Sequence, residues 1–365
     1  MSEKHKVILL TGAGFSRLAG MPTLHTIKSK LEIPIDPPPA LDLVTQIWRI
    51  VRADRGDSAT LEDLLARLKY YVEITDFIQR DTILSTKLRA VFPGNSDHLK
   101  EEFNNALGAC FRLILDTYGP QEVETESEGY RIIVEVLKRL AHMNGNPLHI
   151  FTTNYDCLFN VMAAREPQSL KFLSHINNKN GYFENNWFVT NDLAEETSCE
   201  IRIHRLHGCI AWYDDPASPY GVAEIYGAGE CLTIDDQNKL NQMDIKLVSD
   251  ENIGDRPAFS LAFRELENEL KQCETLLVWG HSFRDLGLLS CIIRASKNSC
   301  DAPFKCYYID PYLTEFAAIE NIKRTVRRTV PEIDPETLAP KNIQWDVPNG
   351  LEKLIEKLNR KGIHI

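Results

Sequence analysis

No two of the chain's nine cysteines stand in C-x-x-C spacing. That removes the paired-thiol signature of a structural zinc site, and the odd count argues against a full disulfide framework. Reduced, mostly structural thiols are expected at positions 110, 157, 199, 209, 231, 273, 291, 300 and 306, and no metal. There is no run of about 18 apolar residues, so no membrane-spanning helix is expected. The charged start, Met1 to Lys6, leads into a strand rather than into the apolar region of a signal peptide. A cytoplasmic location is therefore expected. A basic balance is missing too: the formal net charge of -11 argues against direct nucleic-acid binding. The local cluster Lys323-Arg324 with Arg327-Arg328 reads as a solvated helix face. Internal repeats and low-complexity tracts are absent.

What remains is an ordinary globular composition, 43% apolar and 25% charged, in 365 residues, enough for one large domain or two smaller ones. Short apolar or β-branched runs predict strands at about 6–11, 148–153, 201–206, 275–280, 304–310 and 343–346. After residue 140 most of them alternate with helical segments, among them Leu158 to Ala164, Phe259 to Lys271, Leu286 to Ala295 and Leu351 to Leu358. That alternation predicts an α/β fold, a Rossmann-like parallel sheet with helices on both faces.

The region 35–145 reads differently. Asp36-Pro37-Pro38-Pro39 breaks the chain, and helical patterns follow at 41–52, 60–80, 97–117 and 128–142. Leucines at 61, 64, 65 and 68 fall on one face of such a helix. The expected organisation is a nucleotide-binding domain of residues 1–34 and 146–365, interrupted by a helical module at 35–145. Residues 165–200 and 214–258 read as less regular and rich in Asn, Asp, Gly and Ser, as binding segments, lids or disordered stretches are.

Several strand ends carry the chemistry. Val7 to Thr11 runs into Gly12-Ala13-Gly14-Phe15-Ser16, a turn whose backbone N–H groups can approach a pyrophosphate, with Ser16 adding a hydroxyl. The dinucleotide fingerprint would place a third glycine where Arg17 stands. Gly280 and Ser282 form a second such turn, and Asp310 ends a strand where a carboxylate can accept from ribose hydroxyls. Phe151-Thr152-Thr153-Asn154-Tyr155-Asp156 ends on an amide and a carboxylate. Asn154 reads either as the cap of the next helix or as a site residue. His207, in Leu206-His207-Gly208, reads either as a structural histidine or as a general base, and His204 and His281 rank behind it.

As a set, these segments resemble the sirtuin family. Gly12-Ala13-Gly14-Phe15-Ser16 with Ala19-Gly20-Met21-Pro22 looks like its opening motif. Thr153-Asn154-Tyr155-Asp156 looks like its second motif, and Leu206-His207-Gly208 like its catalytic histidine motif. Gly280-His281-Ser282 and Ile309-Asp310 match later nucleotide-contact positions more loosely. The likeness covers roughly 5–25 and 147–315.

Departures narrow it. Sirtuin deacetylases carry two C-x-x-C pairs after the histidine motif, and Cys209-Ile210-Ala211-Trp212 offers neither. They also carry an Asp-Phe-Arg run where Thr23-Leu24-His25 stands here. The helical insert and Gly280-His281-Ser282-Phe283-Arg284-Asp285 instead resemble bacterial sirtuin-like proteins of antiphage defence, which are similar to NAD hydrolases.

That resemblance implies NAD as substrate, cleaved to nicotinamide and ADP-ribose. It implies that the turn Gly12, Ala13, Gly14 and Ser16 holds the pyrophosphate. Asn154 would orient the nicotinamide ribose or the attacking water, and Asp156 would contact the carboxamide. His207 would act as base, and Gly280, Ser282 and Asp310 would hold the adenosine half. A protein deacylase or ADP-ribosyltransferase is the alternative, and a non-enzymatic NAD sensor a third. Unrestrained NAD loss is toxic, so a gate is expected from a homo-oligomer or a partner. In the family analogues that partner is a HerA-like ATPase or a short Argonaute.

Overall fold

Val7-Ile8-Leu9-Leu10-Thr11 is apolar on both alternating faces, the composition of a strand covered on both sides. In the computed structural model it forms β1 (Val7–Thr11), buried at every residue. The structure describes residues 6–22, 24–32, 39–56, 59, 61–80, 96–118, 123, 125–145, 147–178, 182–184, 187–189, 199–215, 217–224, 257–281, 285–298, 304–309, 341–342, 355–356 and 358–360.

The further strands, in chain order, are β2 (Leu148–Thr152), β3 (Leu170–Ser174), β4 (Asn177–Asn178), β5 (Tyr182–Glu184), β6 (Trp187–Val189), β7 (Cys199–Arg205), β8 (Trp212–Asp214), β9 (Val222–Glu224), β10 (Thr275–Trp279), β11 (Lys305–Ile309) and β12 (Lys341–Asn342). The helices are α1 (Ala13–Arg17), α2 (Leu24–Glu32), α3 (Pro39–Arg55), α4 (Leu61–Arg80), α5 (Ser96–Tyr118), α6 (Glu128–Asn144), α7 (Leu158–Arg165), α8 (Pro257–Leu270) and α9 (Leu286–Asn298).

The main sheet runs β12-β11-β10-β1-β2-β7-β3-β6-β5. From β12 to β3 every pairing is parallel. The hairpin of β5 and β6 adds antiparallel strands at the β3 edge. A second small sheet has the order β4-β9-β8. Side chains alternate along each strand, so each face of the main sheet has its own core. Leu9, Ile150, Ile203 and Leu277 pack with Ile133, Val136, Leu137 and Leu140 of α6 and with Phe159 of α7. On the other face Ile8, Leu10, Phe151 and Val278 pack with Leu266 of α8 and Leu289 of α9. The fold is the expected Rossmann-like α/β sheet with helices on both faces.

The contacts divide the chain into two compact units. One comprises Met1–Met21, Pro120–Lys246 and Asn252–Ile365 and holds the sheet. The other comprises Pro22–Gly119 with Leu247–Glu251, and its described elements are α2 to α5. These boundaries differ from 35 and 145. Helix α6 belongs to the sheet unit, because its buried stripe covers β1, β2 and β7. Its ends are set locally: Ser127 Oγ accepts from the Tyr130 N–H, and Gly145 closes the helix in the left-handed region at φ 67°. Periodicity identifies such a stripe but not the surface it meets.

The helices expected at 41–52, 60–80 and 97–117 are α3, α4 and α5. The stretch 165–200 is more regular than expected. Leu170-Lys171-Phe172-Leu173-Ser174 forms β3, a parallel neighbour of β7. The strand expected at 343–346 lies outside the described residues, as does much of Leu351 to Leu358.

Candidate active site

Parallel strands end along one edge, so the residues that follow them are gathered there. The order β11-β10-β1-β2-β7 sets the segments starting at Gly280, Gly12, Thr153 and Leu206 side by side. Hydrogen bonds continue the ladder past the strand ends. The Gly280 N–H donates to Ile309 O at 2.8 Å, Gly12 to Trp279 O at 3.0 Å, Thr153 to Thr11 O at 3.1 Å and Leu206 to Thr152 O at 2.9 Å. The chain places β2 on one side of β1 and later returns β10 to the other. β1 is thus the switch point of strand order, where open parallel sheets take ligands.

The glycines here serve backbone packing first. A Cβ on Gly12 would stand 2.6 Å from Gly280 O, and one on Gly280 would stand 2.2 Å from Phe15 N. Gly280 also adopts φ 68°, in the left-handed region. The Gly14 N–H donates to Gly280 O at 3.0 Å. The amides of Gly12 and Gly14, assigned to a pyrophosphate from sequence, are therefore engaged in stitching β1 to β10. In this turn Ala13 is the exposed residue and Gly14 is half-buried.

Asn154 is buried, and its amide is held on the β1 side. Its Nδ2 donates to Gly12 O at 2.9 Å and to Ser16 Oγ at 2.7 Å. Gly12 O can only accept, which fixes the amide nitrogen on that side and leaves Oδ1 as the group Asn154 can offer a ligand. The capping reading of Asn154 does not hold. Cys157 occupies the cap position of α7 without a side-chain cap, and Asp156 Oδ1 accepts from the Leu158 N–H at 3.0 Å.

Asp156 is buried, and desolvation pushes its carboxyl up. Hydrogen bonds from Ser16 and Leu158, and the nearby Arg205, oppose that shift. Ser16 thus accepts from Asn154 and donates to Asp156, joining the two candidates through one hydroxyl.

The loops after β2 and β7 are laced together. The Ile210 N–H donates to Tyr155 O at 2.8 Å, and Arg205 Nη1 donates to Asp156 O at 3.4 Å. The Tyr155 and His207 rings lie 6.1 Å apart between centroids. Arg205 Nη2 also pairs with Glu224 Oε1 at 2.8 Å, and Asn160 Nδ2 donates to the same oxygen at 3.0 Å. All three side chains are buried.

His207 is 3% exposed, and its Nε2 lies 2.6 Å from Oδ2 of Asp285, itself 6% exposed. Asp285 Oδ1 accepts from the Leu288 N–H at 3.0 Å and so caps α9. His281 is also buried; desolvation lowers its pKa to about 4 against the pull of Asp285. His204 belongs to the core. It stacks on Phe151 at 4.3 Å, and its Nε2 lies 3.1 Å from His149 Nδ1.

The structure therefore gathers Gly12, Ala13, Gly14, Ser16, Asn154, Asp156, His207 and Gly280 at one sheet edge. Ser282 and Asp310 lie outside the described residues. Sequence reasoning missed Asp285 and the Arg205–Glu224 pair. The position of Asp285 just before an apolar helix was the available cap signal. Nothing local marked Glu224.

Among the described residues no group of three or more His, Cys, Asp and Glu side chains could hold a metal ion. The described cysteines are free thiols. Among the described residues no helix is long and apolar enough to cross a membrane. A cavity of about 540 Å³ lies in the helical unit, lined by Val51, Arg55, Asp63, Ala66, Arg67, Lys69, Tyr70 and Glu73.

No protein-family model matches the chain, and no curated protein matches it. A solved structure described as "Structural Basis for the Mechanism and Regulation of Sir2 Enzymes" is similar to it at 12% identity, with a TM-score of 0.43, over 99% of this chain and 94% of that one.

Proposed function

We propose that this protein is an NAD hydrolase that cleaves the nicotinamide–ribose bond to give nicotinamide and ADP-ribose. One observation carries the reading: Asn154 and His207 follow the adjacent parallel strands β2 and β7, beside the switch-point strand β1, on loops hydrogen-bonded to each other. The motifs that resemble the sirtuin family supply the ligand class.

Scission of the bond builds positive charge on the ribose carbon. A carbonyl oxygen fixed in place stabilises such charge without reorganising, and Asn154 Oδ1 is held in that way by its two amide hydrogen bonds. His207 would take a proton from water or a ribose hydroxyl as the new bond forms. Phosphate contacts would fall on the Ala13 N–H, since the Gly12, Gly14 and Phe15 amides are engaged. Ser282 and Asp310 are proposed for the adenosine half, and Asp156 for the carboxamide. No metal is required by this scheme.

A role in antiphage defence through NAD depletion, in the cytoplasm, belongs to the same proposal. So does control by a homo-oligomer or a partner subunit of the HerA-like or short-Argonaute kind. The purified chain incubated with NAD, with nicotinamide followed by chromatography, tests the activity. Release independent of any acyl-lysine peptide or protein acceptor is expected. Release that requires such an acceptor would mark a deacylase or transferase instead, and tight NAD binding without product would mark a sensor.

A further inference from the structure

We propose that Asp285 is the positioning residue for His207, setting which ring nitrogen carries the proton. The inference rests on the reading of His207 as the base. The two residues are 78 positions apart in the chain, yet Oδ2 of Asp285 meets Nε2 of His207 at 2.6 Å, with both side chains buried. An ionised carboxylate only accepts hydrogen bonds, so the ring must present Nε2–H to it. The lone pair then resides on Nδ1, and that nitrogen is the one able to take a proton from a substrate or water.

The carboxylate is itself immobilised. Its other oxygen accepts from the Leu288 N–H at 3.0 Å, at the start of α9. The helix N-terminus favours the negative charge there. One side chain thus ties the base on the β7 loop to the helix that follows β10. His281, buried beside both groups, has a pKa lowered to about 4 by desolvation, so it adds no positive charge near neutral pH. The Tyr155 ring lies 6.1 Å from the His207 ring between centroids.

Asp285→Asn separates the cap from the positioning role. Asparagine caps helices as well as aspartate does. Its Oδ1 would keep the Leu288 contact, which turns the Nδ2 donors toward His207. The ring would then have to accept at Nε2 and carry its proton on Nδ1.

The test is ¹⁵N NMR of the histidine rings in the wild-type chain and in Asp285→Asn, with the His207 signals assigned by their loss in His207→Gln. The inference predicts an Nε2–H ring in the wild type, an Nδ1–H ring in the variant and the same melting temperature in both. It also predicts NAD turnover about 10²–10⁴-fold lower in the variant with KM little changed. The same tautomer in both proteins would overturn it. An inverted tautomer with no NAD turnover in either protein would support the positioning and overturn the hydrolase reading instead.

Discussion

Asn154 Nδ2 donates to Ser16 Oγ at 2.7 Å, joining the end of β2 to the turn after β1 across 138 residues. Ser16 is fully buried and also donates to Asp156. Removing its hydroxyl would release one side of the Asn154 amide and leave a buried carboxylate with one donor fewer. Ser16→Ala is expected to lower NAD turnover by about 10–100-fold, smaller than the loss of a whole acid–base group. It is also expected to destabilise the fold by about 1–3 kcal/mol, the cost of an unmet buried polar group. Steady-state kinetics beside denaturant unfolding read both effects.

The interlock of Gly12, Gly14 and Gly280 makes a sharper structural prediction. A methyl at 280 meets the backbone at 2.2 Å in a residue already at φ 68°. Gly280→Ala should destabilise by well over about 2 kcal/mol, since strain and clash add. Gly208 is also left-handed, at φ 80°, but a Cβ there meets only side chains at 3.4 Å. Gly208→Ala should therefore cost only the strain, about 1–2 kcal/mol. Equal effects at the two positions, measured by urea unfolding, would count against the interlock.

The Arg205–Glu224 pair supports the loop that carries His207. Glu224 is 1% exposed and Arg205 3%. Glu224→Leu takes away the carboxylate that answers a buried guanidinium and is expected to cost about 3–5 kcal/mol. Because Arg205 also donates to Asp156 O, turnover should fall with stability. A variant with wild-type stability would remove this pair from the account.

Buried histidines set the acid limit of the fold. Desolvation lowers buried His149 and His281 and half-buried His175 to about 4 each, and lowers buried His204 well below the ordinary imidazole value. These rings are neutral in the folded chain at pH values where the unfolded chain binds protons. The stability they contribute is present above the ordinary imidazole value of 6.5 and is lost as the pH falls through about 4. In that window the unfolding free energy should fall by about 1.4 kcal/mol per pH unit for each fully buried ring, and by less for the half-buried His175, which solvent screens. Asp156 works in the opposite sense: its raised pKa favours the fold at the acid end and that contribution is lost as pH rises. Melting temperatures measured from pH 7 downward should drop steeply below about 6.5. A flat profile down to pH 4 would contradict the neutral buried rings.

Much of the fold was legible because its signals are local. Val7 to Thr11, Leu148 to Thr152 and Thr275 to Trp279 are apolar on both faces and bounded by turn residues. The leucine stripe of α4 needs no partner to be recognised. β3 escaped notice because Lys171 and Ser174 interrupt a short run inside a polar stretch. Its place beside β7 comes from pairing rather than composition. The site residues Gly12, Asn154, His207 and Gly280 were visible as unusual strand ends. What each one contacts was not. The engaged Gly12 and Gly14 amides, the hydroxyl between Asn154 and Asp156, and the partner of His207 all depend on residues distant in the chain.

The central claim is that the Asn154 amide and the His207 imidazole act on one sugar. Nicotinamide release from NAD by the wild-type chain, by Asn154→Ala, by His207→Ala and by the double variant tests it most directly. Each single change should reduce turnover by about 10²–10⁴-fold. The double variant should be little worse than the weaker single one, as groups that act as a unit behave. Wild-type turnover in both single variants would contradict the account.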